Sequence, residues 1–148
     1  MNATIRATDL QALIDALPHL VWVCRADGAA EYFNARWRDY TGLDLDSSRG
    51  DGWRAAVHAD QASDLASAWR AAGDDTQEWH VLYRLRRHDG AFRWFEARAR
   101  RVLLEGHVRP HWIGTSTDID EQHRALDTVQ AQERRYRALI EYLPDAFF

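Results

Sequence analysis

The 148-residue chain contains one cysteine and no lysine. Cys24 alone builds neither a disulfide framework nor a multi-cysteine metal site, and nothing points to an oxidising compartment. All nineteen basic residues are arginine, which we read as codon usage. Excess positive charge is also missing: the formal net charge is -4, so neither a nucleic-acid nor an anionic-membrane partner is expected. No run approaches the ~18 apolar residues of a membrane span. Residues 1–15 carry one arginine and no continuous apolar stretch, unlike a secretory leader. The expectation is a cytoplasmic chain without direct membrane contact. No nucleophile–base–oxyanion set, phosphate-cradling glycine loop or paired catalytic carboxylates can be found, so the chain is not expected to be an enzyme by itself.

What is present is apolar area. Hydrophobic residues make up 46% of the chain, with seven Trp, five Tyr and five Phe. That is enough for one domain with a real core and a helical appendage, and it argues against disorder.

An internal repeat sets the organisation. Residues 13–22 read LIDALPHLVW and residues 139–148 read LIEYLPDAFF, so Leu13, Ile14, Leu17 and Pro18 recur 126 residues later as Leu139, Ile140, Leu143 and Pro144. That period is domain-sized and too long for a solenoid unit. The expectation is an N-terminal helix over 1–18, one whole domain over 19–120, a helix over 119–142 and the opening of a second, truncated domain over 133–148.

Between the repeats, Asp27-Gly28, Asp89-Gly90 and Glu105-Gly106 mark turns. Asp-Gly between alternating strands predicts hairpins with tight primed turns. In the second hairpin Val81, Tyr83 and Leu85 alternate with Leu82, Arg84 and Arg86, and Phe95, Ala97 and Ala99 with Glu96, Arg98 and Arg100. Such a sheet has one face covered. Asn34 is expected to cap a helix that stops at Thr41-Gly42, and Asp60 to cap another that Gly73 ends. The order of elements gives an antiparallel α+β domain. In the last helix Ile119, Leu126, Glu133 and Ile140 recur every seven residues, as do Gln122, Val129, Tyr136 and Leu143. Six of these eight are apolar or aromatic, which suits a coiled-coil seam.

Four blocks, FNARWRDYTG (33–42), GWRAAVHADQ (52–61), YRLRRHDGAFRWFEARA (83–99) and HWIGTSTDIDEQHRA (111–125), resemble the PAS domain with its C-terminal PAC half. The resemblance covers about residues 8–123, with a second PAS start at 133–148. It implies a PAS fold: a five-stranded antiparallel sheet, flanking short helices and a long C-terminal amphipathic helix. It also implies a ligand pocket on the concave face, a homodimer through flanking helices, and relay to a downstream output domain of the same parent. That parent would most often be a two-component sensor histidine kinase, with a diguanylate cyclase or phosphodiesterase as the alternative. The sequence departs from the family at His58-Ala59-Asp60-Gln61, where His-Pro-Asp-Asp is frequent.

Matching strand faces to the family directs Trp22, Cys24, Tyr83, Leu85, Phe95, Ala97 and Ser116 toward the pocket. Trp37, Tyr40, Trp53, Val57, Leu65 and Trp69 join them from the helices. This is an aromatic site with few polar groups, suited to a planar or apolar small molecule or else filled by its own side chains. No cofactor is assigned. A flavin or haem sensor is the alternative reading, but no cysteine lies between Asn34 and Trp79 for a light-driven flavin adduct, and residues 60–73 hold no haem-ligating His. The dimer and signalling helix is expected to use Ile119, Leu126, Val129, Tyr136 and Ile140. Cys24, with no His or Lys beside it, reads as a buried structural thiol. His107 and His111 flank Pro110 in a strand region, where a four-residue spacing is not expected to converge, so no metal site is expected. The arginines at 84, 86, 87, 93, 98, 100 and 101 read as a solvated or salt-bridged face.

Overall fold

The computed structural model describes residues 7–71 and 77–142, without the side chains at 7, 8, 66, 69–71 and 142. Helix α1 (Ala7–Ala16) leads into strands β1 (Leu20–Cys24) and β2 (Ala30–Phe33). Helices α2 (Ala35–Thr41) and α3 (Leu45–Ser48), a 3-10 turn (Gly52–Ala56) and helix α4 (Ala59–Ala71) follow. Strands β3 (Glu78–Arg86), β4 (Phe92–Val102) and β5 (His111–Asp118) complete the sheet, and α5 (Asp120–Tyr142) closes the described chain. The chain divides between Asp118 and Ile119 into the sheet-bearing unit and the unit of α5. Of the expected second domain start, residues 133–142 continue α5, and 143–148 lie outside the described residues.

The sheet runs β2-β1-β5-β4-β3 with every neighbouring pair antiparallel. The α+β expectation is met, and the alternation read from β3 and β4 holds. Tyr83, Leu85, Phe95, Ala97 and Ala99 are buried, while Leu82, Arg98 and Arg100 are exposed. With β1 and the helices they form one core that includes Trp22, Trp37, Val57 and Trp112. Each fully buried large side chain contributes about 1.5–3 kcal/mol to holding the helices on the sheet.

Two hairpins use the same five-residue device, Arg25-Ala26-Asp27-Gly28-Ala29 and Arg87-His88-Asp89-Gly90-Ala91. In each, the Gly N–H donates to the Arg carbonyl (2.9 and 2.8 Å) and the Arg N–H to the closing Ala carbonyl (2.9 and 2.7 Å). The Asp Oδ1 accepts from the Ala N–H at 3.0 and 3.1 Å. Gly28 and Gly90 have φ of 89° and 91°. These are three-residue loops ending in a left-handed glycine, not the two-residue primed turns expected. The Asp side chain favours the longer form by stapling the loop to its own exit.

Helix entries differ from expectation as well. Asn34 precedes α2, but its side chain makes no cap. The amide is buried, its Oδ1 accepting from Val21 N–H at 3.0 Å and its Nδ2 donating to the carbonyls of Ile14 and His19, both at 3.0 Å. At α4, the His58 Nδ1 accepts from Asp60 N–H at 3.2 Å, so His58 caps and Asp60 falls in the first turn. Asp60 still suits the helix dipole there. α2 stops as read, at Gly42, with φ 77° and its N–H donating to Arg38. The expected stop of α4 at Gly73 lies outside the described residues.

Candidate functional site

A cavity of about 60 Å³ lies between the inner face of the sheet and the helices. β1 supplies Trp22 and Cys24, β3 and β4 supply Tyr83 and Ala97, and the helical segments supply Trp37, Trp53, Val57 and Leu65. These eight were expected. Tyr40, Leu85, Phe95 and Ser116 were expected too but do not line it. Tyr40, Phe95 and Ser116 border a separate open cleft with His19, Arg36 and Asp39. Leu85 is fully buried in the core. The side chain of Trp69 lies outside the described set. Three lining residues were missed: Gly28, Phe33 and Trp79. Trp79 shares the alternation of Val81 and Tyr83, a signal that could have found it. Phe33 pairs with Trp22 across β1 and β2 and stacks on Trp37 at 4.3 Å, which no local pattern reveals.

The aromatic walls are oriented by tying their polar edges elsewhere. Trp22 Nε1 donates to Ser116 Oγ at 3.1 Å, and the Tyr83 hydroxyl meets the same oxygen at 2.9 Å. Trp37 Nε1 donates to Ser48 Oγ at 2.8 Å, whose hydroxyl in turn donates to the Asp44 carbonyl at 2.7 Å. Ser116 therefore anchors two rings from behind the cavity. Trp22 is also fixed by the residue beside it, because a Cβ on Gly114 would fall 2.3 Å from its Cζ2. The glycine lets the indole lie against the neighbouring strand. Trp53 is the exception, since its Nε1 is buried and has no hydrogen-bond partner among the described residues.

The walls are neutral at physiological pH. Burial pushes the Cys24 thiol up to about 12, with Glu31 and Asp27 adding to the effect. Burial also pushes the Tyr83 hydroxyl up to about 12, against the opposing hydrogen bond with Ser116. Cys24 is thus a protonated, buried thiol, as its neighbours suggested. The volume is well below the ~150 Å³ of a cavity that holds benzene. A flavin or porphyrin ring system is larger than the space in this conformation.

Elsewhere, the rings of His107 and His111 meet edge to face at 4.7 Å, contrary to the expectation that they diverge. The β4–β5 turn folds the intervening loop back. Among the described residues, however, no group of three His, Cys, Asp or Glu side chains is placed to hold a metal ion. The arginine-rich hairpin is laced by ion pairs. Arg87–Asp89 closes to 2.7 Å, Arg93–Asp118 to 2.6 Å and Arg100–Glu78 to 2.9 Å, and Arg98 pairs with Glu96. Arg84 and Arg101 lie over the rings of Trp94 and Trp112. On α5, Leu126, Val129, Tyr136 and Ile140 are exposed. Among the described residues no helix is long and apolar enough to cross a membrane.

A family model described as the PAS fold matches residues 30–116. The peroxide stress-activated histidine kinase mak1 of Schizosaccharomyces pombe is 30% identical over 148 residues, covering 90% of this chain and 9% of that protein. The two-component sensor PprA of Pseudomonas aeruginosa is 27% identical over 140 residues, covering 91% of this chain and 15% of that protein. The chain thus spans less than a fifth of the length of these curated relatives. Among solved structures, the PAS domain of an HTR-like protein from Haloarcula marismortui superposes with a TM-score of 0.63 at 24% identity, covering 76% of this chain and 96% of that one. The order of the five strands, the cavity on their inner face and a family match over more than half of the residues lead to one assignment: the chain belongs to the PAS-fold family.

Proposed function

We propose that this protein is the sensory input module of a signalling protein of the two-component histidine kinase type. In this reading it detects a small molecule in the aromatic cavity and passes the signal along α5 to an output domain. The observation that carries the proposal is the cavity itself: three aromatic side chains in its wall have their polar groups bonded away from it, which leaves carbon surface facing a space. A core that needed only to be filled has no use for such a gap, because voids forfeit contacts. The relatives described as a histidine kinase and a two-component sensor support the signalling assignment. The exposed residues of α5 recur at the spacing of a helical seam and support a homodimer through flanking helices. A cytoplasmic location is part of the same proposal. In this scheme the module itself carries no catalysis.

Thermal denaturation in the presence of a panel of small uncharged organic molecules tests the sensing half. Binding at a hundredfold excess over Kd raises stability by about 2.7 kcal/mol, which is read as a shift in Tm. If no compound shifts the wild type, or if Ala97→Leu, which fills the cavity, shifts equally, the sensing assignment fails.

A further inference from the structure

Ser116 is fully buried beside the apolar core, where a hydroxyl costs stability unless its hydrogen bonds are made. It lies on β5, the middle strand of the sheet, opposite Leu20 of β1 and Ala97 of β4. Trp22 and Tyr83 both line the cavity and come from β1 and β3, strands that are not neighbours. Both are tied to the Ser116 oxygen, at 3.1 and 2.9 Å. One hydroxyl therefore joins two cavity walls to a third strand.

The joint has two arrangements. An indole N–H only donates, so the bond from Trp22 to Ser116 has one sense. The bond between the two hydroxyls can run either way. The three groups bring three hydrogens and make two hydrogen bonds among themselves, so one hydroxyl hydrogen is always left over. When Tyr83 donates, the spare hydrogen belongs to Ser116 on β5. When Ser116 donates, it belongs to Tyr83 in the cavity wall. Rotation of the hydroxyls exchanges the two without moving the backbone. An occupant of the cavity bears on this balance, because displacing either ring lengthens a bond to the same oxygen. An element with two arrangements that an occupant favours unequally is the physical requirement for coupling. The strand that carries it ends at Asp118, and α5 opens at Asp120. Building on the small-molecule reading above, we infer that Ser116 is a positioning residue that couples the cavity to β5: its hydroxyl holds Trp22 and Tyr83 to that strand and carries occupancy of the cavity to the start of α5.

The probe is xenon dissolved under pressure, an apolar atom of the kind that enters dry cavities. It is titrated into the full chain labelled with 15N, following the Trp22 indole, the Ala97 amide and the amides of residues 117–121. In the wild type Trp22 and Ala97 should shift, and the amides of 117–121 should shift with the same xenon midpoint. In Ser116→Ala, Ala97 should keep its shift while 117–121 lose theirs, and Ser116→Thr, which keeps the hydroxyl, should restore them. Loss of the Ala97 response as well would mean that Ser116 only shapes the cavity, and overturns the inference. So do amides of 117–121 that respond undiminished in Ser116→Ala, or that ignore xenon in the wild type while Ala97 responds; either result leaves the cavity reading in place. If xenon shifts neither Trp22 nor Ala97 in the wild type, the small-molecule reading itself fails. Should Ser116→Ala not fold, Tyr83→Phe decides. It removes one of the two ties and must reduce the response at 117–121 while sparing that of Ala97, and an undiminished response overturns the inference.

Discussion

The carboxylate of Asp15 accepts a hydrogen bond from the backbone N–H of Ala35 at 2.9 Å, so the first turn of α2 is satisfied by a residue of α1 twenty positions earlier. The same oxygen accepts from the Tyr32 hydroxyl at 2.9 Å. Asn34, the local candidate for that task, is occupied tying β1 to the end of α1. The junction between α1 and the domain is thus built from hydrogen bonds, while Leu10 and Leu13 of the helix and Leu17 just after it remain exposed.

Exchanging these two roles gives the first prediction. Asp15→Ala should cost about 1–2 kcal/mol, as loss of a helix cap does. Asn34→Ser keeps a good capping residue at the position but leaves buried partners unsatisfied, so it should cost more, about 2–3 kcal/mol. Urea denaturation midpoints of the two variants decide, and a neutral Asn34→Ser would show that the local cap reading was right.

Gly114→Ala should destabilise by about 1–3 kcal/mol because the new methyl group collides with the Trp22 indole. In a Trp22→Leu background the same change should cost much less. Additive effects in the double-mutant cycle would mean that the two residues do not share this contact.

Alkaline titration yields the third. Burial pushes Cys24 and Tyr83 up to about 12 in the folded protein, from their ordinary values of 9.0 and 10.0. Between those limits the unfolded chain releases protons that the folded chain retains. Stability is then fully present below pH 9 and falls as pH rises toward 12, by up to about 1.4 kcal/mol per pH unit for each group. No lysine titrates in this window, but Tyr32, pushed up to about 12 by burial and its hydrogen bond to Asp15, adds to the decline from pH 10. Cys24→Ala should flatten the decline from pH 9 and Tyr83→Phe from pH 10. Unchanged slopes in denaturation series at pH 8–11 would count against the burial of these groups.

If α5 forms the proposed dimer seam, Leu126→Glu together with Val129→Glu should shift the chain toward monomer in sedimentation equilibrium at ~100 µM, with its circular dichroism outside α5 unchanged. A wild-type chain that is already monomeric at that concentration would remove the seam.

Much of the sheet was legible because a period of two leaves a plain mark on Val81–Leu85 and Phe95–Ala99. What the alternation encodes is the face, not the depth along the strand. Leu85, Phe95 and Ser116 point inward as read but sit beside the cavity rather than on it. Ser116 looked like a polar group for a ligand until Trp22 and Tyr83 were found to use it. Phe33 and the Asp15–Ala35 bond depend on segments far apart in sequence, where a single chain read locally carries no sign of which partner will arrive. Gly114 is the same case in reverse: a glycine in a strand signals a close approach, but only the register with Trp22 says of what.

The strand order also says something about time. Both Arg-x-Asp-Gly-Ala hairpins close over short loops and can form as soon as their residues exist, within microseconds. The centre of the sheet is different, since β1 waits beside an empty place until β5 arrives, with Leu20 paired to Ser116 and Cys24 to Trp112. During synthesis two hairpins therefore precede one domain, and the cavity walls on β1 and on β3–β4 are joined into one sheet only when the last strand is made. Pulse-labelled hydrogen exchange during refolding should find the β1–β5 amides protected last; protection there before the β3–β4 hairpin would reverse the order.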